Sequence, residues 1–203
     1  MPAIGITGGI STGKSTFVEC LRQLLPAATF FDADEAAHVL LNRPKVQKQI
    51  RLEFGAQVFS SAGDLNRTKL RAIVFADATK KRALERILHP RIRRQWRAEA
   101  KRHRNSPDFF FADIPLLYET GGETLCDRVV VVACSYNVQL VRLTERMSIK
   151  NTEAEQMIRS QMPLEEKIAR ADHVLWNEGA RARLMEQARF LAALWQQESW
   201  TKK

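Results

Sequence analysis

The chain has 203 residues, 45% hydrophobic and 27% charged, with a formal net charge of +9. That length carries one substantial core with room for a smaller lobe, and the apolar fraction excludes a disordered chain. No apolar run approaches the roughly 18 residues of a membrane-spanning helix, which excludes a helical membrane protein.

Taken in order, Pro2-Ala3-Ile4-Gly5-Ile6-Thr7 predicts a short buried strand, entered directly, so no cleaved leader is expected. Gly8-Gly9-Ile10-Ser11-Thr12-Gly13-Lys14-Ser15-Thr16 follows and reads G-x-x-x-x-G-K-S, a phosphate-binding loop. Phe17, Val18, Leu21, Leu24 and Leu25 then recur at helical spacing, so the motif has the strand–loop–helix setting that its chemistry requires. Gly8 and Gly13 let backbone amides approach phosphate, and the following helix adds its positive dipole end. Lys14 is the residue to reach the β- and γ-phosphates, and the Ser15 hydroxyl is a Mg²⁺ ligand. The loop predicts a bound nucleoside triphosphate.

Residues 27–31 predict a second strand, ending in Asp32-Ala33-Asp34. Open α/β sheets place ligands at such strand ends. One aspartate is expected to cap the helix Glu35 to Leu41, and the other to serve chemistry, as a Mg²⁺ anchor or a proton acceptor. From residue 35 to 107 the pattern is helical. Ile50, Phe54 and Val58 form one apolar set and Leu70, Ile73, Val74 and Phe75 another; Leu84, Leu88, Ile92 and Trp96 repeat every four residues, with Pro90 placed to break or kink that helix. A stretch this long between strands is no plain loop, and predicts an inserted helical lobe for a second substrate. Between Lys80 and Arg104 stand eleven Lys or Arg against Glu85 and Glu99, an excess equal to the whole net charge. Such a block suits nucleic acid, an acidic small molecule, or a merely solvated face.

Phe109 to Asp113 resumes the sheet, its terminal Asp113 suiting a second acid in the magnesium shell. Val129 to Ala133 and His173 to Trp176 complete the strands, with helices at Val138 to Arg146 and after Gly179. Between them Arg142, Arg146, Lys150, Arg159, Lys167 and Arg170 are candidates for a lid that clamps polyphosphate, Arg146 and Arg159 being the choices. Strands alternating with helices predict an α/β fold, a parallel sheet with helices on both faces. Cys20, Cys126 and Cys134 have no metal-type or redox-type spacing and fit a reducing cytoplasm.

Several of these stretches together resemble the dephospho-coenzyme A kinase family. They are the loop, Asp32-Ala33-Asp34, Asn66-Arg67, Leu70 through Phe75, Leu88-His89-Pro90, Ile114-Pro115-Leu116-Leu117-Tyr118-Glu119, Arg159, Gln161-Met162-Pro163, Lys167, Ala171-Asp172 and Asn177 with Gly179. The resemblance implies a five-stranded core of P-loop kinase type (residues 1–32, 105–144 and 172–203), a helical substrate domain (33–104) and a lid (145–171). It implies ATP and Mg²⁺ as cofactors and transfer of phosphate to the ribose 3′-hydroxyl of dephospho-coenzyme A. In that reading Lys14, Asp34, Arg146 and Arg159 are catalytic, and the nine loop residues hold the ATP phosphates. Ser15 ligates Mg²⁺, with Asp32 or Asp113 acting through water; Asn177 and Gly179 lie toward the adenine. Asp34, Arg67, His89, Arg91 and Glu119 face the acceptor. The expected partner is the small molecule alone, without nucleic acid or membrane, in a monomer or weak homo-oligomer. Two departures from the family pattern stand out: Ser11-Thr12 where Gly-Ser is usual, and Trp176 in place of a smaller aliphatic residue. Rival readings are another P-loop metabolite or nucleotide kinase, and a nucleic-acid-binding P-loop ATPase.

Overall fold

The structure, a computed structural model, describes residues 2–197. Met1 and the last six residues of the predicted C-terminal core segment lie outside them. The chain divides into two compact units, Asp32–Ala98 and the remainder.

The larger unit is built on a five-stranded sheet. Its strands are β1 (Ala3–Gly8), β2 (Thr29–Asp32), β3 (Phe110–Asp113), β4 (Arg128–Ala133) and β5 (His173–Trp176), in spatial order β2-β3-β1-β4-β5. β1 pairs in parallel with β3 and β4, and β4 with β5. The period-2 pattern sorts side chains to the two faces. Ile4, Ile6, Phe111, Val130, Val132 and Leu175 turn to one face. There they are sealed by Phe17, Cys20 and Leu21 of α1 (Lys14–Leu24) and by Leu184, Ala188 and Trp195 of α9 (Arg181–Gln197). Burial of these large apolar groups, each worth about 1.5–3 kcal/mol, is what holds the strand ends in place. The remaining helices of this unit are α6 (Tyr136–Met147), α7 (Asn151–Arg159) and α8 (Leu164–Arg170).

The smaller unit is helical: α2 (Ala33–Leu41), α3 (Pro44–Phe54), α4 (Arg67–Ala76) and α5 (Ala78–His103) as far as Ala98. Asp32 caps α2, its Oδ1 accepting from the amides of Asp34 (2.8 Å) and Glu35 (3.0 Å). Asn66 does the same for α4 through Lys69 N. Leu40, Val46, Ile50, Phe54, Val58, Leu70, Ala83 and Leu88 form its own apolar core.

Of the two outcomes expected at Pro90, a break is ruled out: α5 runs through it as one helix. Leu84, Leu88 and Ile92, on both sides of the proline, pack into the same cluster, so tertiary burial outweighs the lost backbone hydrogen bond. Within the same turn the Arg91 guanidinium donates to Ile87 O.

Candidate active site

The loop leaves β1 at Gly8 and enters α1 at Lys14. Its turn is made by two residues with positive φ, Ser11 (58°) and Gly13 (95°). At Gly13 a Cβ would also collide with the Asn177 amide. Gly8 has ordinary φ, and its need is space: a Cβ there would strike Val132 O. Ser11 is a different matter. It carries a side chain through a left-handed turn that favours glycine, and its buried Oγ has no partner.

Side chains brought from far along the chain clamp the loop. Thr12 Oγ1 donates to Gly9 O (2.9 Å). Gln139 of α6 donates to Ile10 O (2.6 Å), while Ile10 N donates to Gln161 Oε1 (3.0 Å). Asn177 Nδ2 donates to Thr12 O (2.9 Å), and Arg142 donates to Asn177 O (3.0 Å). Lys14 is ion-paired with Asp113, a buried carboxylate at the end of β3. Ser15 is exposed in the first turn of α1, open to a ligand.

The cations predicted for a lid divide into groups. Arg170 is engaged by Glu123 (2.5 Å) and lies over the Tyr118 ring. Burial pushes the Tyr118 hydroxyl up to about 12. Lys167 is wholly buried, among protein acceptors. Arg159 makes a surface pair with Glu155 (3.5 Å), and Arg146 is exposed. Arg142 was only one of six candidates in the sequence, yet its guanidinium reaches the vicinity of Gly13. Glu119 is partnered within the chain: its Oε1 pairs with Lys167 (2.8 Å) and accepts from Met162 N (3.0 Å). Asn177 likewise spends its side chain on the loop. Gly179 follows in the turn before α9, and Trp176 is 48% exposed with its N–H and C=O both bonded to Gln187.

In the unit Asp32–Ala98, Asp34 is exposed on the first turn of α2, held there through Asp32. Arg67 donates to Asn42 Oδ1 (3.0 Å), and Arg91 to Gln49 Oε1 (2.7 Å). A groove of about 430 Å³ runs along α5, lined by Thr79, Arg82, Glu85, Arg86, His89 and Pro90. Burial lowers the pKa of His89, with Glu85 opposing that shift, so the imidazole is favoured in its neutral form. Of the basic block, these few arginines line a concave surface. Among the described residues no group of three or more His, Cys, Asp or Glu is arranged to hold a metal. A kinase-type Mg²⁺, held by one hydroxyl, water and phosphate, needs no such cage. Cys20, Cys126 and Cys134 are free thiols, and burial pushes Cys126 to about 12.

Comparison with known proteins decides between the readings that one loop leaves open. The family model for dephospho-CoA kinase matches residues 2–183. The chain belongs to the dephospho-CoA kinase family. A dephospho-CoA kinase of Anaeromyxobacter dehalogenans is 43% identical over 197 residues, covering 96% of this chain and 92% of the relative. One from Symbiobacterium thermophilum is 41% identical, covering 95% and 82%. Among solved structures, a Thermus thermophilus protein superposes with a TM-score of 0.79 at 31% identity, covering 98% of each chain. The dephospho-CoA kinase of Campylobacter jejuni gives 0.68 at 27%, over 94% and 95%. A shikimate kinase from Acinetobacter baumannii, 16% identical with a TM-score of 0.55, shares the fold. The family membership gives the five-stranded sheet and its loop their setting, that of P-loop kinases.

The sequence offers Lys167 only as one of six lid candidates and Gln161 only within a family-like segment, and gives no sign of Gln139; none of the three is legible there as a brace for the loop. Nothing in the local pattern joins residue 167 to residues 8 and 119; only the crossing of the chain at the sheet's end does so.

Proposed function

We infer that this chain is an ATP-dependent kinase that phosphorylates the ribose 3′-hydroxyl of dephospho-coenzyme A, yielding coenzyme A and ADP. The observation that carries this is family membership across residues 2–183, on a loop whose backbone is already braced for phosphate. Family membership supports ATP use; the residue roles and Mg²⁺ that follow are our reading.

The loop amides and the N-terminus of α1 bind the β- and γ-phosphates, and Lys14 leaves Asp113 to place its ammonium on the transferring group. The acceptor hydroxyl attacks the γ-phosphorus as the bond to the ADP oxygen breaks, and its proton passes to Asp34. Mg²⁺, when bound, neutralises charge on the phosphates. Ser15 and, through water, Asp113 are the residues that would hold it. Asp32 is the poorer choice, because its Oδ1 is spent capping α2. Arg146 and Arg159 remain the lid arginines of this reading, with Arg142 added beside the loop. Asn177 and Gly179 border the adenine. On the acceptor side, Arg67, Arg91 and the α5 groove with His89 offer cations for the pyrophosphate and apolar surface for the pantetheine arm. Glu119 acts from behind, through its partners.

No helix among the described residues is long and apolar enough to cross a membrane. We assign the chain to the cytoplasm, as a monomer or weak homo-oligomer that does not use nucleic acid.

The test offers ATP and Mg²⁺ with dephospho-coenzyme A, AMP, CMP, shikimate and gluconate in parallel, reading ADP formation. Turnover is expected with dephospho-coenzyme A. Efficient turnover with another acceptor and none with dephospho-coenzyme A would sink the assignment. Hydrolysis stimulated by a polynucleotide, with steep salt dependence, would favour the nucleic-acid reading.

A further inference from the structure

We propose that Lys167 is a positioning residue of the nucleotide site, acting through the backbone of the phosphate loop rather than on phosphate. The inference rests on the kinase reading above and deepens it.

An ammonium has three N–H donors and no acceptor. Lys167 has three oxygen partners. Its Nζ donates to Gly8 O at 3.2 Å and to Pro115 O at 3.1 Å, and is ion-paired with Glu119 Oε1 at 2.8 Å. The side chain is 0% exposed. Wholly buried among two carbonyls and a carboxylate, the ammonium is not open to a triphosphate. A lid lysine that clamps ATP would be exposed and underused; this one is neither.

The three partners say what the group does. Gly8 is the residue at which β1 becomes the phosphate loop. Pro115 follows Ile114 after β3, two residues beyond Asp113, the partner of Lys14; its carbonyl also accepts from Thr7 Oγ1 at 2.9 Å. Glu119 ties the junction to Met162 N, at the root of α8. A single buried charge therefore sets the loop's entry, the strand end that carries Asp113, and the segment leading to α8 in one register. A buried charge is expensive unless fully bonded, so the junction has one well-satisfied arrangement and tolerates little drift. Small displacements of catalytic groups cost rate steeply, which gives the junction a kinetic consequence.

The experiment measures ATP affinity by calorimetry without acceptor, and kcat and KM for ATP with saturating dephospho-coenzyme A. Thermal unfolding is followed in parallel. The variants are Lys167→Met, Lys167→Arg, Glu119→Gln and the double Lys167→Met/Glu119→Gln. Lys167→Met is expected to weaken ATP binding and kcat/KM roughly 10- to 100-fold, the scale of one or two charged hydrogen bonds. Lys167→Arg should not rescue it, because a guanidinium does not fit a fully closed site built for an ammonium. Glu119→Gln should shift ATP affinity in the same direction by less, and the double variant should be no worse than Lys167→Met alone.

A phosphate clamp predicts the reverse: Arg keeps most activity, and Glu119→Gln leaves ATP binding unchanged or tighter because it frees the ammonium. That result overturns the proposal. So does a loss of thermal stability with ATP affinity, kcat and KM unchanged, which would make Lys167 a stability residue only. If Lys167→Met does not fold, Glu119→Gln decides alone: weaker ATP binding supports the proposal, and unchanged or tighter binding refutes it. Because ATP affinity is read without acceptor, failure of the acceptor assignment leaves a separate signature, normal ATP binding with no transfer to dephospho-coenzyme A.

Discussion

Polar groups are handled differently in the two units. In the sheet unit, Gln139, Lys167 and Asn177 are buried at 3%, 0% and 8% exposure, and each spends its hydrogen bonds on backbone near the phosphate loop. In the unit Asp32–Ala98, Asp34 and Arg67 are exposed, and Arg67 and Arg91 hold side-chain amides or carbonyls near the surface. The first arrangement fixes a backbone before any ligand arrives, so binding costs little ordering. The second leaves side chains able to rotate onto a long, flexible acceptor. It follows that substitutions around the loop should alter stability and nucleotide binding together. Substitutions at the acceptor residues should alter activity at constant stability.

Lys14→Ala gives the largest effect and tests the first half of that contrast. Transfer should fall by far more than tenfold, since the lost charge acts on the transition state, and each tenfold is about 1.4 kcal/mol. Stability should fall too, because the buried Asp113 loses its partner. A stable variant that keeps about a tenth of wild-type turnover would break both the phosphate assignment and the contrast.

Next comes Asp34→Asn, which probes the second half. Turnover should drop by roughly 10² to 10⁴ while ATP binding holds, the loss typical of a general base. Its thermal midpoint should barely move. Asp32→Ala should do the opposite and lower stability by about 1 kcal/mol, the worth of a helix cap. If Asp32→Asn, which keeps the cap, is the damaging change and Asp34→Asn is mild, the two roles are exchanged.

Arg146→Lys and Arg159→Lys sharpen the picture between these extremes. Each retains charge and loses the two-pronged donor, so steady-state assays should show a fall in kcat at whichever arginine meets the transferring phosphate. Stability should be unchanged, since Arg159 has only an exposed pair with Glu155 and Arg146 is exposed. Full activity in both variants would move the phosphate contact to Arg142.

The smallest effect belongs to Ser11→Gly. Relief of the left-handed serine and removal of its unpartnered hydroxyl should raise stability by about 1 kcal/mol, seen as a shift of roughly 2–4 °C in thermal unfolding. A destabilised glycine variant would show that the hydroxyl has a partner in solution.

Local chemistry was enough for much of this protein. The loop, its strand and its helix follow from glycine spacing and apolar periodicity, and the strand His173–Trp176 was legible to the residue. The apolar triplet Ile50, Phe54 and Val58 is buried as its spacing requires. That an aspartate caps α2 follows from Asp32-Ala33-Asp34 standing at the start of a helix, and the structure gives that part to Asp32. These features depend on neighbours within a few turns of chain, where sequence distance and spatial distance agree. Tertiary structure decided the rest. Pro90 reads as a break or a kink, and burial on both sides of it keeps α5 continuous. Glu119 and Asn177 read as ligand-facing residues, and only the fold shows that they also bond to partners 48 and 165 residues away, Lys167 and Thr12. The loop is named by its own sequence, but its shape is held by residues that only the fold brings near, because a parallel sheet gathers distant strand ends along one edge.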